Sequence, residues 1–192
     1  MKLYYAPGAC SLSPHIVANE AGIALELEKV DLGAKRTDSG ADFLAINPKG
    51  YVPVLQLDSG EVLTEGPATS SSTSSIASHS PGMLRPMARW SVIGSRSGWA
   101  TSTPSCTRAS VRCSIQLPRP RAARVETALA AKSWLTGEQF TIADAYLFTV
   151  TNWASFVKVD LSKFPNLLAF QARASARSAV KAALAAEGLL AA

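Results

Sequence analysis

A short apolar strand that breaks into a turn and re-emerges as a helix is the feature that most constrains this chain. Leu3-Tyr4-Tyr5 reads as the strand, Pro7-Gly8 as the turn, and His15 to Ala21 as the helix. Cys10 lies between them, where the strand hands over to the helix and beside the helix's unpaired backbone N–H groups. The partial positive charge at a helix start favours an anion, so a thiolate is easier to form there. Cys10-Ser11-Leu12-Ser13 has the spacing of a Cys-x-x-Cys redox motif with Ser13 in place of the second thiol. One thiol cannot close an internal disulfide. It can form a mixed disulfide with a small thiol, or hold one by hydrogen bonding. The plainer alternative is a small packing residue at a helix start.

A length of 192 residues suits one large or two small domains, and a hydrophobic fraction of 47% suffices for a core. No run of 18 apolar residues predicts a membrane span. Met1-Lys2-Leu3 leads into a strand and not into a signal peptide. Three Cys make no disulfide framework, so a reducing, cytoplasmic setting is expected. The net charge of +5 is local in origin. Thr69 to Ala123 holds seven Arg and no Lys, Asp or Glu, and the rest of the chain has 12 basic and 14 acidic residues. The seven Arg are scattered singly among Ser, Thr and Pro. That is not the clustering of a nucleic-acid site, so no nucleic-acid partner is expected.

Along the chain, Ala24 to Leu32 reads as a strand, Gly33 to Gly40 as a polar loop and Ala41 to Ile46 as a helical turn. Val52 to Leu57 and Glu61 to Thr64, joined by Asp58-Ser59-Gly60, read as a hairpin. Pro67 suits the first turn of a helix. The order β-α-β-α-β-β then calls for an apolar helix, but residues 69–80 are nearly all Ser and Thr. From Arg124 an apolar pattern returns with Val125, Leu129, Trp134 and Leu135. Thr141-Ile142-Ala143-Asp144 reads as a capping box ahead of the helix Ala145 to Val150. Pro165 to Ala176 and Ala179 to Ala186 read as two more helices. His15 and His79 have no metal-ligand partner at useful spacing and read as surface or packing residues; no metal is expected.

These segments resemble the beta class of bacterial glutathione S-transferases. The resemblance rests on Cys10-Ser11-Leu12-Ser13-Pro14-His15, Asn47-Pro48-Lys49-Gly50, Val52-Pro53, Leu63-Thr64-Glu65-Gly66 and Phe140 to Phe148, and it covers residues 1–68 and 124–192. It implies an α/β thioredoxin-like N-terminal domain, residues 1–78, an all-α C-terminal domain, residues 79–192, and a homodimer. It implies conjugation of glutathione, the co-substrate, to small hydrophobic electrophiles. Cys10 resembles the thiol that contacts glutathione or forms a mixed disulfide with it. Val52, before a cis Pro53, resembles the residue whose main chain pairs with the cysteinyl part. Glu65 resembles the acid that meets the γ-glutamyl ammonium, the Gly66 N–H suits the neighbouring carboxylate, and Lys35 resembles the cation for the glycyl carboxylate. Thr141, Asp144 and Pro53 are structural. The alternatives are a glutaredoxin-like thiol-disulfide transferase, favoured by Cys10-x-x-Ser13, and an inactive glutathione-binding or degraded relative, favoured by the broken middle.

The resemblance lapses between Thr69 and about Ala123. A reading frame starting one nucleotide earlier restores it on paper. Ser70 to Ile76 then permits IVQYIVD, and Val92 to Gln116 permits RYRLQEWLGYINSELHKSFGALFNP. The segment therefore reads as frameshifted. As written it lacks about four large buried side chains, at roughly 1.5–3 kcal/mol each, and poor folding is expected.

Overall fold

The computed structural model describes residues 1–64 and 119–190. The first stretch builds β1 (Lys2–Tyr5), α1 (Leu12–Glu20), β2 (Glu26–Asp31), β3 (Arg36–Thr37), α2 (Phe43–Ile46), β4 (Val54–Gln56) and β5 (Val62–Thr64). The second builds α3 (Arg119–Leu129), α4 (Ile142–Phe156), α5 (Pro165–Ala176) and α6 (Ser178–Ala186). The mixed α/β half and the helical half are those the sequence implies. The boundary expected between residues 78 and 79 lies outside the described residues.

The sheet order is β3-β2-β1-β4-β5. Side chains alternate between its faces, as the two-residue strand period requires. Leu3, Tyr5 and Leu55 form one apolar cluster. Tyr4, Val30 and Val54 join Ala6, Phe43 and Val52 in another. The polar stretch Gly33 to Gly40, read as a loop, contains a strand. β3 pairs antiparallel with β2, Thr37 opposite Val30 and Arg36 opposite Asp31. Asp31 closes the reversal, its Oδ1 accepting from Gly33 N–H at 2.7 Å and Ala34 N–H at 3.0 Å. Two residues at a sheet edge are too few to show a periodic pattern.

α3 begins at Arg119, ahead of the expected return of helical pattern at Arg124. Ala122, Val125 and Leu129 are buried and lie at helical spacing. Pro120 falls in the first turn, where a missing N–H costs nothing. α4 has the expected capping box, and the helix runs from Ile142 to Phe156, beyond the expected Ala145 to Val150 at both ends. Thr141 N–H donates to Asp144 Oδ2 at 2.9 Å, and the Thr141 hydroxyl reaches the same oxygen at 2.7 Å. Asp144 Oδ1 accepts from Leu135 N–H at 2.8 Å, tying the preceding loop to the helix start.

The larger core is helical, and α1 belongs to it. Leu12, Ile16 and Val17 cluster with Leu129, Trp134, Phe148, Phe170 and Val180. α1 is buried from Leu12 through Ala18, and it packs on α4 and α6. A helix buried on every side needs partners from more than one layer. Here they come from the C-terminal half.

Candidate active site

Strand directions decide where the site lies. β1 and β2 run parallel, with Tyr5 opposite Lys29. β4 runs antiparallel to β1, with Val54 opposite Tyr4, and β5 antiparallel to β4, with Thr64 opposite Val54. The C-terminal ends of β1, β2 and β5 therefore share one end of the sheet with the N-terminal end of β4. Cys10 follows β1, Lys35 follows β2, and Val52 and Pro53 precede β4. Thr64 closes β5 at this same end; Glu65 and Gly66, next in sequence, lie outside the described residues.

Cys10 is half-buried in a locked turn. Ala9 N–H donates to Ala6 C=O at 3.0 Å. The buried Ser11 hydroxyl bridges the turn, accepting from Ala6 N–H at 3.3 Å and donating to Ala6 C=O at 3.2 Å. The N-cap hydroxyl is thus committed backwards, and it makes no side-chain cap for α1. The donors at the helix start are engaged rather than unpaired. Leu12 N–H donates to Ala9 C=O at 3.0 Å, Ser13 N–H to Cys10 C=O at 3.3 Å and His15 N–H to Ser11 C=O at 3.3 Å. Pro14 has none. The expectation of free N–H groups beside Cys10 is corrected accordingly. The aligned peptides of α1 still present their field to a thiolate there.

The Val52–Pro53 peptide is cis, as expected. Val52 is buried in one cluster with Ala6, and Ala9 packs against that cluster, so the Cys10 turn and the cis peptide are neighbours. The preceding turn is built by Asn47. Its Nδ2 donates to Tyr51 C=O at 2.8 Å, its Oδ1 accepts from Lys49 N–H at 3.2 Å, and its carbonyl accepts from Gly50 N–H at 2.8 Å. Gly50 has φ +65°, and a Cβ there would stand 3.1 Å from Leu44 Cδ2 and 3.3 Å from Lys35 Cε. The positive φ is what calls for glycine, since the Leu44 and Lys35 side-chain ends can give way. Lys35 Nζ donates to Gly50 C=O at 2.8 Å, which carries the cation from the β2 end to the β4 end.

A family model described as glutathione S-transferase, N-terminal domain, matches residues 8–69, and one described as glutathione S-transferase, C-terminal domain, matches residues 120–178. Glutathione S-transferase GstA of Escherichia coli O157:H7 is 40% identical over 98% of this chain and 100% of its own length. The chain belongs to the glutathione S-transferase family.

Solved structures of the family superpose closely. A glutathione transferase from Methylococcus capsulatus matches with a TM-score of 0.85 at 46% identity, over 98% of this chain and 99% of that one. A bacterial beta-class glutathione S-transferase from Sphingomonas chungbukensis matches with 0.82 at 37% identity, over 99% and 100%. Among the described residues of this transferase no His, Cys, Asp or Glu group gathers as a metal site, and no helix is long and apolar enough to cross a membrane.

The family site also has supports that sequence reading missed. Trp153 Nε1 of α4 donates to Gly8 C=O at 2.6 Å. Glu187, just past α6, accepts from Gly8 N–H through Oε2 at 2.9 Å. Its Oε1 lies 3.0 Å from His15 Nδ1. A carboxylate only accepts, so that ring nitrogen carries the hydrogen. His15 is therefore a buried, partnered residue and not a surface one. Separations of 145 and 172 residues leave no local signal for these contacts. His79 lies outside the described residues.

Proposed function

We propose that the protein conjugates glutathione to small hydrophobic electrophiles at the sheet end that gathers Cys10, Lys35 and the cis Val52–Pro53 peptide. That convergence, in a chain whose relatives are glutathione S-transferases, is the observation that carries the reading. The tripeptide lies along Val52 as an added strand, so main-chain bonds give affinity with little side-chain demand. Lys35 meets the glycyl carboxylate. Glu65 meets the γ-glutamyl ammonium, and the Gly66 N–H meets the carboxylate beside it. The sulfur then faces Cys10.

In conjugation the glutathione thiolate attacks an electrophilic carbon. A C–S bond forms, the leaving group departs with its electron pair, and the thiol proton passes to water. The protein supplies orientation and a site that favours the thiolate. Cys10 contacts that sulfur, or exchanges with glutathione disulfide: its thiolate attacks one sulfur, a mixed disulfide forms and one glutathione thiolate leaves. The single-thiol Cys10-x-x-Ser13 spacing favours this exchange as the second reading. A cytoplasmic homodimer is the setting that both readings assume.

Two assays on the purified protein test this. Binding to immobilised glutathione is expected, with turnover of an aromatic halide exceeding turnover of a glutathione mixed disulfide. The reverse order of rates selects the thioltransferase. Retention without either turnover leaves an inactive binder. Cys10→Ala is expected to abolish the glutathione adduct seen by mass spectrometry and to weaken capture. Unchanged capture and unchanged exchange in that variant would remove Cys10 from the site.

A further inference from the structure

The C-terminal half grips the turn that presents Cys10 at Gly8. Trp153 holds its C=O at 2.6 Å and Glu187 holds its N–H at 2.9 Å. A Cβ on Gly8, whose φ is +69°, would stand 3.6 Å from both methyl carbons of Leu189, so that side chain packs over the turn. Glu187 has a fully buried side chain, and its second oxygen is fixed by the buried His15 ring. A buried carboxylate held by two donors is a rigid acceptor.

We propose that Glu187 and Trp153 are positioning residues for Cys10, fixing the peptide groups on either side of the Gly8 Cα and so the place of the sulfur two residues on. Holding α1 against the C-terminal half does not require this grip. α1 has ties of its own further along: Asn19 Nδ2 donates to Ala179 C=O at 3.2 Å, and Arg177 donates to both Glu20 oxygens at 2.5 and 2.7 Å. Those ties touch no atom of the turn. Trp153 meets the turn at the Gly8 C=O, whereas Glu187 meets it at the Gly8 N–H while its other oxygen holds His15 of α1, so the Trp153 contact is the one that separates the turn from α1. The inference rests on Cys10 being the thiol of the site.

The test compares variants that loosen the same interface in different places. Its readout is the rate of Cys10 alkylation by iodoacetamide, followed on the Cys10 peptide by mass spectrometry across pH, well below each protein's Tm. Glu187→Ala and Trp153→Phe are each expected to slow Cys10 alkylation at neutral pH by about tenfold, the scale of a small misplacement of a reacting group. Glu187→Gln keeps an oxygen for Gly8 N–H and an amide N–H for the His15 ring in its other tautomer, and is expected to stay within about twofold of the parent. Arg177→Ala is expected to lower Tm yet leave the alkylation profile unchanged. The proposal falls if Arg177→Ala slows the thiol as much as Glu187→Ala, or if Trp153→Phe and Glu187→Ala both leave it unchanged. If the unsubstituted protein shows no glutathione binding, the functional reading fails instead, and the alkylation comparison still stands.

Discussion

Lys35 is already satisfied before any ligand arrives. Its ammonium donates to Gly50 C=O at 2.8 Å and stands 5.6 Å from the Tyr51 ring centroid. The residue has φ +55°, while its own carbonyl accepts from Phe43 N–H at 2.9 Å. The cation is thus poised beside the Val52 turn, and a carboxylate arriving there adds to this arrangement without displacing it, since an ammonium has three donors. Its gain is that of a partly exposed ion pair, about 1 kcal/mol. Lys35→Ala is therefore expected to raise KM for glutathione about fivefold with kcat little changed, checked by initial rates across glutathione concentration. The turns that carry Cys10 and Val52 were legible from short motifs, because strand ends and turns carry local signatures such as Pro7-Gly8 and Asn47-Pro48-Lys49-Gly50, whereas Lys35 lies in a polar loop and came from the family resemblance alone. Glu187 and Trp153 were not legible. Their partner is a glycine backbone, which leaves no mark on the side chains that hold it.

At the scale of elements, two carboxylates tie helix starts to distant chain. Glu126 of α3 accepts from Asn166 N–H at 2.9 Å through Oε1 and from Leu167 N–H at 3.0 Å through Oε2. It thereby caps α5, whose own N-cap, Phe164, makes no side-chain cap. Glu126→Ala is expected to cost about 1–2 kcal/mol, read as a lower urea midpoint at unchanged m. Asp144 caps α4 from a buried position, and burial pushes its carboxyl above the ordinary value of 3.8 against the pull of the Leu135 and Thr141 hydrogen bonds. A carboxyl raised on folding binds its proton more tightly in the native state. Its contribution to stability is therefore full below the unfolded value and is lost as the pH rises through the native one. Asp144→Asn does not titrate. The unfolding free energy of the parent minus that of Asp144→Asn is expected to fall as pH rises upward from 3.8, the reference value, measured by urea unfolding at a series of pH values. The capping box was legible because its partners lie three residues apart. β3 and the early start of α3 were not, because one is a two-residue edge pairing and the other opens on Arg and Pro.

For the whole molecule, the two halves share a helix and are divided by a stretch of unusual composition. Leu12, Ile16 and Val17 of α1 are buried with side chains of α4, α5 and α6, and Arg177, stacked 4.5 Å from the Phe140 ring centroid, reaches back to Glu20. The N-terminal half alone would expose that apolar face, so the site and the helical half stand or fall together. The family models match residues 8–69 and 120–178, and the Ser- and Arg-rich segment read as frameshifted, Thr69 to about Ala123, begins and ends close to their inner limits. A true family helix after Pro67 would present large apolar side chains to the sheet. Ser and Thr in their place forgo a burial energy comparable to a domain's whole stability of about 5–15 kcal/mol. We propose that a nucleotide was lost or gained at each end of the segment, which would leave the family helix encoded in the neighbouring frame. Tryptic mapping of the protein from its native source is expected to return masses for IVQYIVD and its continuation in place of the Ser-rich peptide that ends at Arg89. Recovery of the Ser-rich peptide itself, from a gene whose nucleotides resequence without an insertion or deletion, would defeat the frameshift. The chain as written would then have to melt at low temperature and with a broad transition, which calorimetry on the same sample reads directly.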